Sequence, residues 1–92
     1  MPLAVHPGRI LRREMTARKL SANRLALDLG VPSGRITDIV NGKRGITADT
    51  ALRLGRRLGT SAQFWMNLQT RHDLIVAEEK LGRQLATEVR AA

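Results

Sequence analysis

The sequence predicts an all-α domain of five helices, with a helix-turn-helix at the second and third and a long C-terminal helix. Three observations predict it. Apolar residues recur at helical spacing, and no stretch alternates apolar and polar residues as a half-buried strand does. Hydroxyl residues suited to cap helix N-termini, and glycines suited to stop helices, separate the apolar runs. Finally, 42% of the 92 residues are apolar, enough for one packed core spanning 1–92, and there is no cysteine. That last absence excludes disulfides, thiolate metal sites and cysteine nucleophiles.

The elements follow in order. Pro7 suits the first turn of a helix that carries Ile10, Leu11 and Met15 inward and ends near Lys19. Ser21 caps a second helix with Leu25, Ala26 and Leu29 on one face, and Gly30 stops it. Ser33, after Pro32, is expected to cap a third helix with Ile36, Ile39 and Val40 inward, ended by Gly42. Thr47 caps a fourth, with Asp49 in the first turn, an apolar stripe of Ala51, Leu54 and Leu58, and Gly59 at its end. Thr60-Ser61-Ala62-Gln63 fits a capping box in which Thr60 and Gln63 answer each other. From there a helical pattern runs over 61–89, with Gly82 as the place where it would bend or fray.

Charge is unevenly placed. Residues 1–60 hold twelve Lys/Arg against four acids, which is the whole net charge of +8, and residues 61–92 hold four of each. A polyanion-binding front and a neutral tail with another task would produce this division, as would a basic surface kept for solubility. Phe64 and Trp65 are the only aromatic residues, too few for a platform that stacks unpaired bases. No apolar run approaches the roughly 20 residues of a membrane span. Residues 1–15 lack the apolar stretch of a signal peptide, so a cytoplasmic protein with no membrane partner is expected.

The stretch 21–42 carries the most information. In a helix-turn-helix the two helices cross steeply, so the first must offer a small side chain at the crossing, as Ala26 does. The turn needs a residue that accepts positive φ, as Gly30 does. Ile36 and Ile39 then point back to the second helix, leaving the opposite face of the third free for a DNA groove.

Several segments together resemble Cro/C1-type helix-turn-helix regulators, and more narrowly HigA-type antitoxins of toxin–antitoxin modules. They are His6-Pro7-Gly8-x-Ile10-Leu11, Leu29-Gly30-Val31-Pro32, the run from Ile39 to Ala51 through Asn41-Gly42-Lys43-Arg44-Gly45, and Leu58-Gly59-Thr60-Ser61-x-x-Phe64-Trp65-x-Asn67-Leu68-Gln69. The resemblance covers about residues 6–75 and implies a five-helix, repressor-like DNA-binding domain. It further implies a dimer that binds operator DNA, represses its own operon and neutralises a partner toxin, commonly an mRNA-cleaving ribonuclease of the RelE/HigB type.

Ser33, Arg35, Thr37 and Asp38 lie off the Ile36/Ile39 core face and are the candidates for base reading. Arg35 suits guanine O6 and N7, or a phosphate. Thr37 suits a base or phosphate hydrogen bond and the thymine methyl. Asp38 suits cytosine N4, or orients Arg35 without touching DNA. Gly34 has nothing to read with and suits close backbone approach. Phosphate contacts are expected from Asn41, Lys43 and Arg44 beyond the third helix, and from Ser21, Asn23 and Arg24 at the N-terminus of the second. Many repressors of this class carry glutamine where this chain has Ala22, and Arg24 either compensates or is a solvated side chain. Arg53, Arg56 and Arg57 are expected as a solvated face.

On the last helix, Phe64, Trp65, Leu68 and Ile75 are expected to complete the core. Leu74, Ala77, Leu81 and Leu85 form a second stripe near heptad spacing, suited to a homodimer or a toxin, or to packing on the first helix. The chain is basic, so toxin contact would rest on that stripe, the neutral tail or the few acids. His6 and His72 are far apart in sequence, and no metal-ligand cluster, phosphate-cradling glycine loop or nucleophile motif is present. Neither catalysis nor a cofactor is therefore expected. A stand-alone repressor without a toxin is the alternative; an RNA-binding or co-activator module on the same fold ranks below both.

Overall fold

The computed structural model describes residues 3–92 as five helices: α1 (Pro7–Ala17), α2 (Ala22–Leu29), α3 (Ser33–Val40), α4 (Ala48–Leu58) and α5 (Ala62–Glu88). Among the described residues there is no strand, and no helix is long and apolar enough to cross a membrane. The core is the meeting of the expected stripes: Leu11 and Met15 of α1, Leu25, Ala26 and Leu29 of α2, Ile36 and Ile39 of α3, Ala51, Leu54 and Leu58 of α4. Ile46 closes it from the α3–α4 loop and Trp65 from α5. Each fully buried Leu or Ile contributes about 1.5–3 kcal/mol by leaving water.

Local chemistry accounts for most boundaries. Ser21 Oγ accepts from the Arg24 N–H at 3.0 Å, and Gly30 closes α2 at φ 73°, while Gly59 closes α4 at φ 76°. The first helix stops at Ala17, two residues before the expected end. Lys19 takes φ 56° and the Leu20 N–H returns to the Met15 carbonyl at 2.8 Å, a Schellman closure made with lysine in the glycine place.

Two caps differ from expectation. Ser33 does not cap α3: Pro32, extended at φ −62° and ψ 144°, occupies that place and offers no side-chain acceptor. Ser33 is already helical, and its carbonyl accepts from Thr37 Oγ1 at 3.2 Å. Nor do Thr60 and Gln63 form a capping box. Ser61 caps α5 by accepting from the Phe64 N–H at 3.0 Å. The Thr60 hydroxyl instead takes the buried Trp65 indole N–H at 2.8 Å, and Gln63 donates to Asn67. An indole N–H taken from water needs a partner, and Thr60 is the one within reach. Phe64 is another correction: it is 39% exposed and lies edge-on to Trp65 instead of joining the core. α5 also passes through Gly82 without interruption.

α1 is tied to both ends of the fold. His6 Nδ1 accepts from the Gly8 N–H at 2.9 Å, and its ring meets His72 of α5 edge-on with centroids 5.0 Å apart. The two histidines, remote in sequence, are therefore neighbours, with His6 capping α1 and His72 edge-on to it. Burial lowers the His6 pKa, the adjacent His72 lowers it further, and Asp73 opposes both. The folded state thus holds the neutral ring. Its contribution is full above the unfolded value near 6.5 and is lost as pH falls through the lowered folded value. The melting temperature is expected to drop as pH falls below about 6.5. His6→Asn, whose capping oxygen does not titrate, should flatten that profile; an unaltered profile would place the acid sensitivity elsewhere.

A candidate nucleic-acid interface

The turn between α2 and α3 is built as expected. Gly30 and Val31 return their N–H groups to Leu27 and Ala26 at 3.2 and 3.0 Å, which turns the chain within three residues. Buried Ala26 lets the helices approach, and fully buried Ile36 and Ile39 hold α3 against α2. The outer face of α3 is left to solvent, with Ser33, Gly34, Thr37 and Asn41 exposed. A Cβ placed on Gly34 would meet nothing within 4 Å. Nothing in this chain requires a glycine there, although it costs the helix about 1 kcal/mol relative to alanine.

Arg35 and Asp38 are half-buried and both are paired. Arg35 Nη1 donates to Asp49 Oδ2 at 2.8 Å, and Asp38 lies 3.7 Å from Arg44. The acid that orients Arg35 is thus Asp49 of α4, not Asp38. Hydrogen bonds from Arg53 and then Arg35 hold the Asp49 carboxyl below the usual carboxylate range. Arg35, Arg44 and Arg53 line one cleft of about 350 Å³ with Gly45, Thr47, Asp49 and Thr50.

Lys43 and Asn41 are exposed beyond α3, as are Ser21, Asn23 and Arg24 at the start of α2. Arg24 pairs with Asp28 at 3.3 Å, which Arg57 also reaches at 2.9 Å. Of the α4 arginines, Arg53 and Arg57 therefore do more than face solvent, while Arg56 is exposed as expected. Arg53 Nη1 donates to the Leu29 carbonyl at 2.9 Å, and in the same manner Arg18 Nη2 reaches the Leu58 carbonyl at 2.9 Å. Each places a cation on the carbonyl end of another helix, where the helix dipole favours it. The loop to α4 is pinned by Gln69, which accepts from the Ile46 N–H at 2.7 Å and donates to Asp73. On the far side, Leu74 is 65% exposed and Leu81 and Leu85 are 41% exposed, and none of them packs against the buried core. Among the described residues no group of His, Cys, Asp or Glu is placed to hold a metal ion.

Fold and exposed α3 face together define the helix-turn-helix class. The helix-turn-helix family profile matches residues 11–65. Virulence-associated protein I of Dichelobacter nodosus is 54% identical over 77 residues, 83% of this chain and 71% of that one. An addiction module antidote protein of the HigA family from Coxiella burnetii has a TM-score of 0.95 at 46% identity, over 99% of this chain and 100% of that one. Pseudomonas aeruginosa antitoxin HigA, solved with the higBA promoter, has a TM-score of 0.92 at 45% identity, over 96% and 97%. The chain belongs to the HigA family of Cro/C1-type helix-turn-helix proteins, a family of regulators and antidote proteins and not of enzymes.

Proposed function

We propose that this chain is an operator-binding antitoxin that represses its own operon as a homodimer in the cytoplasm. In this reading it also neutralises a cognate mRNA-cleaving toxin of the RelE/HigB type. The observation that carries the DNA half is the unencumbered outer face of α3, on a chain that matches over nearly its full length an antitoxin solved with promoter DNA. α3 enters the major groove; Arg35 reads guanine, Thr37 and Ser33 reach base edges or the thymine methyl, and Asp38 faces cytosine. The side-chain-free Gly34 lets the backbone come close. Lys43, Asn41 and Arg44 on one flank, and Ser21, Asn23 and Arg24 on the other, take phosphates.

The exposed stripe of Leu74, Ala77, Leu81 and Leu85 joins two copies. Pairing sets two α3 helices on half-sites about 34 Å apart or a multiple of it. Toxin binding is supported by the antidote relative, and it uses surfaces other than bulk charge, since the chain is basic.

Two measurements test this. The double variant Arg35→Ala, Thr37→Ala should lose specific affinity for the protein's own promoter in fluorescence anisotropy, with melting temperature and dimer mass unchanged. Unchanged affinity would remove α3 from the groove. Co-expression with the flanking genes should bring down a small basic partner that arrests growth when expressed alone. Recovery of the dimer alone, still binding promoter DNA, would leave a stand-alone repressor.

A further inference from the structure

We infer that Asp49 is a positioning residue for DNA reading, holding the Arg35 guanidinium from the first turn of α4 at the angle at which α3 presents it to the groove. This rests on the proposed role of Arg35. Three contacts in series carry it. Arg35 Nη1 donates to Asp49 Oδ2 at 2.8 Å; that same oxygen accepts from Arg53 Nε at 3.1 Å; and Arg53 Nη1 donates to the Leu29 carbonyl at 2.9 Å. The brace thus begins on the last turn of α2, crosses α4 and ends on α3. It spans the same turn that sets the angle between α2 and α3. Asp49 is itself fixed by Arg53, so it holds Arg35 in one place.

The chemistry fits. A guanidinium has five N–H donors in a planar fork, and one bond to Asp49 leaves an edge free for the two acceptors of guanine. Fixing the plane of that fork in advance removes the ordering that a long, free side chain otherwise undergoes on binding. Asp49 is 55% exposed at its side chain, and ion pairs in such a setting add little to stability. A fold-stabilising role therefore does not account for a 2.8 Å contact from a base-reading side chain. The carboxylate also faces the approaching phosphates with the wrong sign for tight binding to any DNA. Its removal should free Arg35 to swing to a phosphate, strengthening binding to arbitrary sequence while weakening binding to the operator.

The test uses the full chain and two duplexes, its own promoter and a scrambled version, with affinities measured at one salt concentration. Asp49→Asn keeps the size and one acceptor oxygen but removes the charge. It should lower the ratio of promoter to scrambled affinity about tenfold, with the melting temperature preserved. Combined with Arg35→Ala, it should lower the ratio no further than Arg35→Ala alone. An unchanged ratio in Asp49→Asn, with Arg35→Ala losing it, would overturn the brace while leaving Arg35 as a reader. An unchanged ratio in both would remove Arg35 as a reader, and the inference with it. A full tenfold loss persisting in the double variant would show that Asp49 acts on the fold and not through Arg35.

Discussion

Replacing Gly8 by alanine is expected to lower the melting temperature by about 10 °C or more, the response of a domain this size to a loss of about 2–3 kcal/mol. A Cβ at Gly8 would come within 2.7 Å of the Ile39 carbonyl carbon and closer still to its oxygen. Backbone cannot step aside as a flexible side chain can, so α1 must lift from the end of α3. The loss should reach function as well, because the same contact fixes where α3 ends and where Asn41 and Lys43 emerge. Gly34→Ala is the internal control. That position is open, so the identical exchange should leave stability unchanged or raise it by up to about 1 kcal/mol. Thermal melts of the two variants, side by side, decide the matter; equal melting temperatures would mean that α1 and α3 are not in close backbone contact.

On the proposed pairing through α5, replacing Leu81 by aspartate is expected to turn the dimer into a monomer and to weaken operator binding by about a hundredfold or more. Leu81 lies between Leu74 and Leu85 on the face of α5 turned away from Trp65, and it takes no part in the core. The monomer should therefore keep its core, with only the outer turns of α5 loosened. A carboxylate in the middle of a helix pair is buried without a partner and repels its symmetry mate. Light scattering reports the mass and promoter anisotropy the affinity. A dimer that persists would move the seam off this stripe.

What could be read from the sequence depended on how local the cause was. Ser21, Gly30 and Gly59 act within a turn of themselves, and spacing was enough to assign them. Ser33 and Thr60 look equally like caps. One is preceded by a proline whose extended backbone already begins the helix, and the other is claimed by an indole five residues on. Phe64 and Trp65 are adjacent and about 100° apart around the helix, so periodicity near the N-terminus of α5 could not say which enters the core. Sequence points to Asp38, three residues away, as the acid beside Arg35, because a helix face is all that it displays. Asp49, fourteen residues on, reaches it only after α4 has folded over α2. The same holds for Arg53 on Leu29 and Arg18 on Leu58, which span 24 and 40 residues. The exposed outer face of α3 is legible because it belongs to one helix; its bracing is not, because it comes from other helices.

The outer half of α5 has a further consequence. Beyond Val76 every residue of the helix but Gly82 is exposed, and Trp65 is its only buried one. A dozen helical residues with nothing to lean on are marginal in water, since each helix needs packing to offset its nucleation. Their order must be borrowed from whatever lies alongside. On the proposed pairing through the α5 stripe, assembly and the last three turns of the chain become a single equilibrium, and how much of each molecule is folded depends on how many copies share the solution.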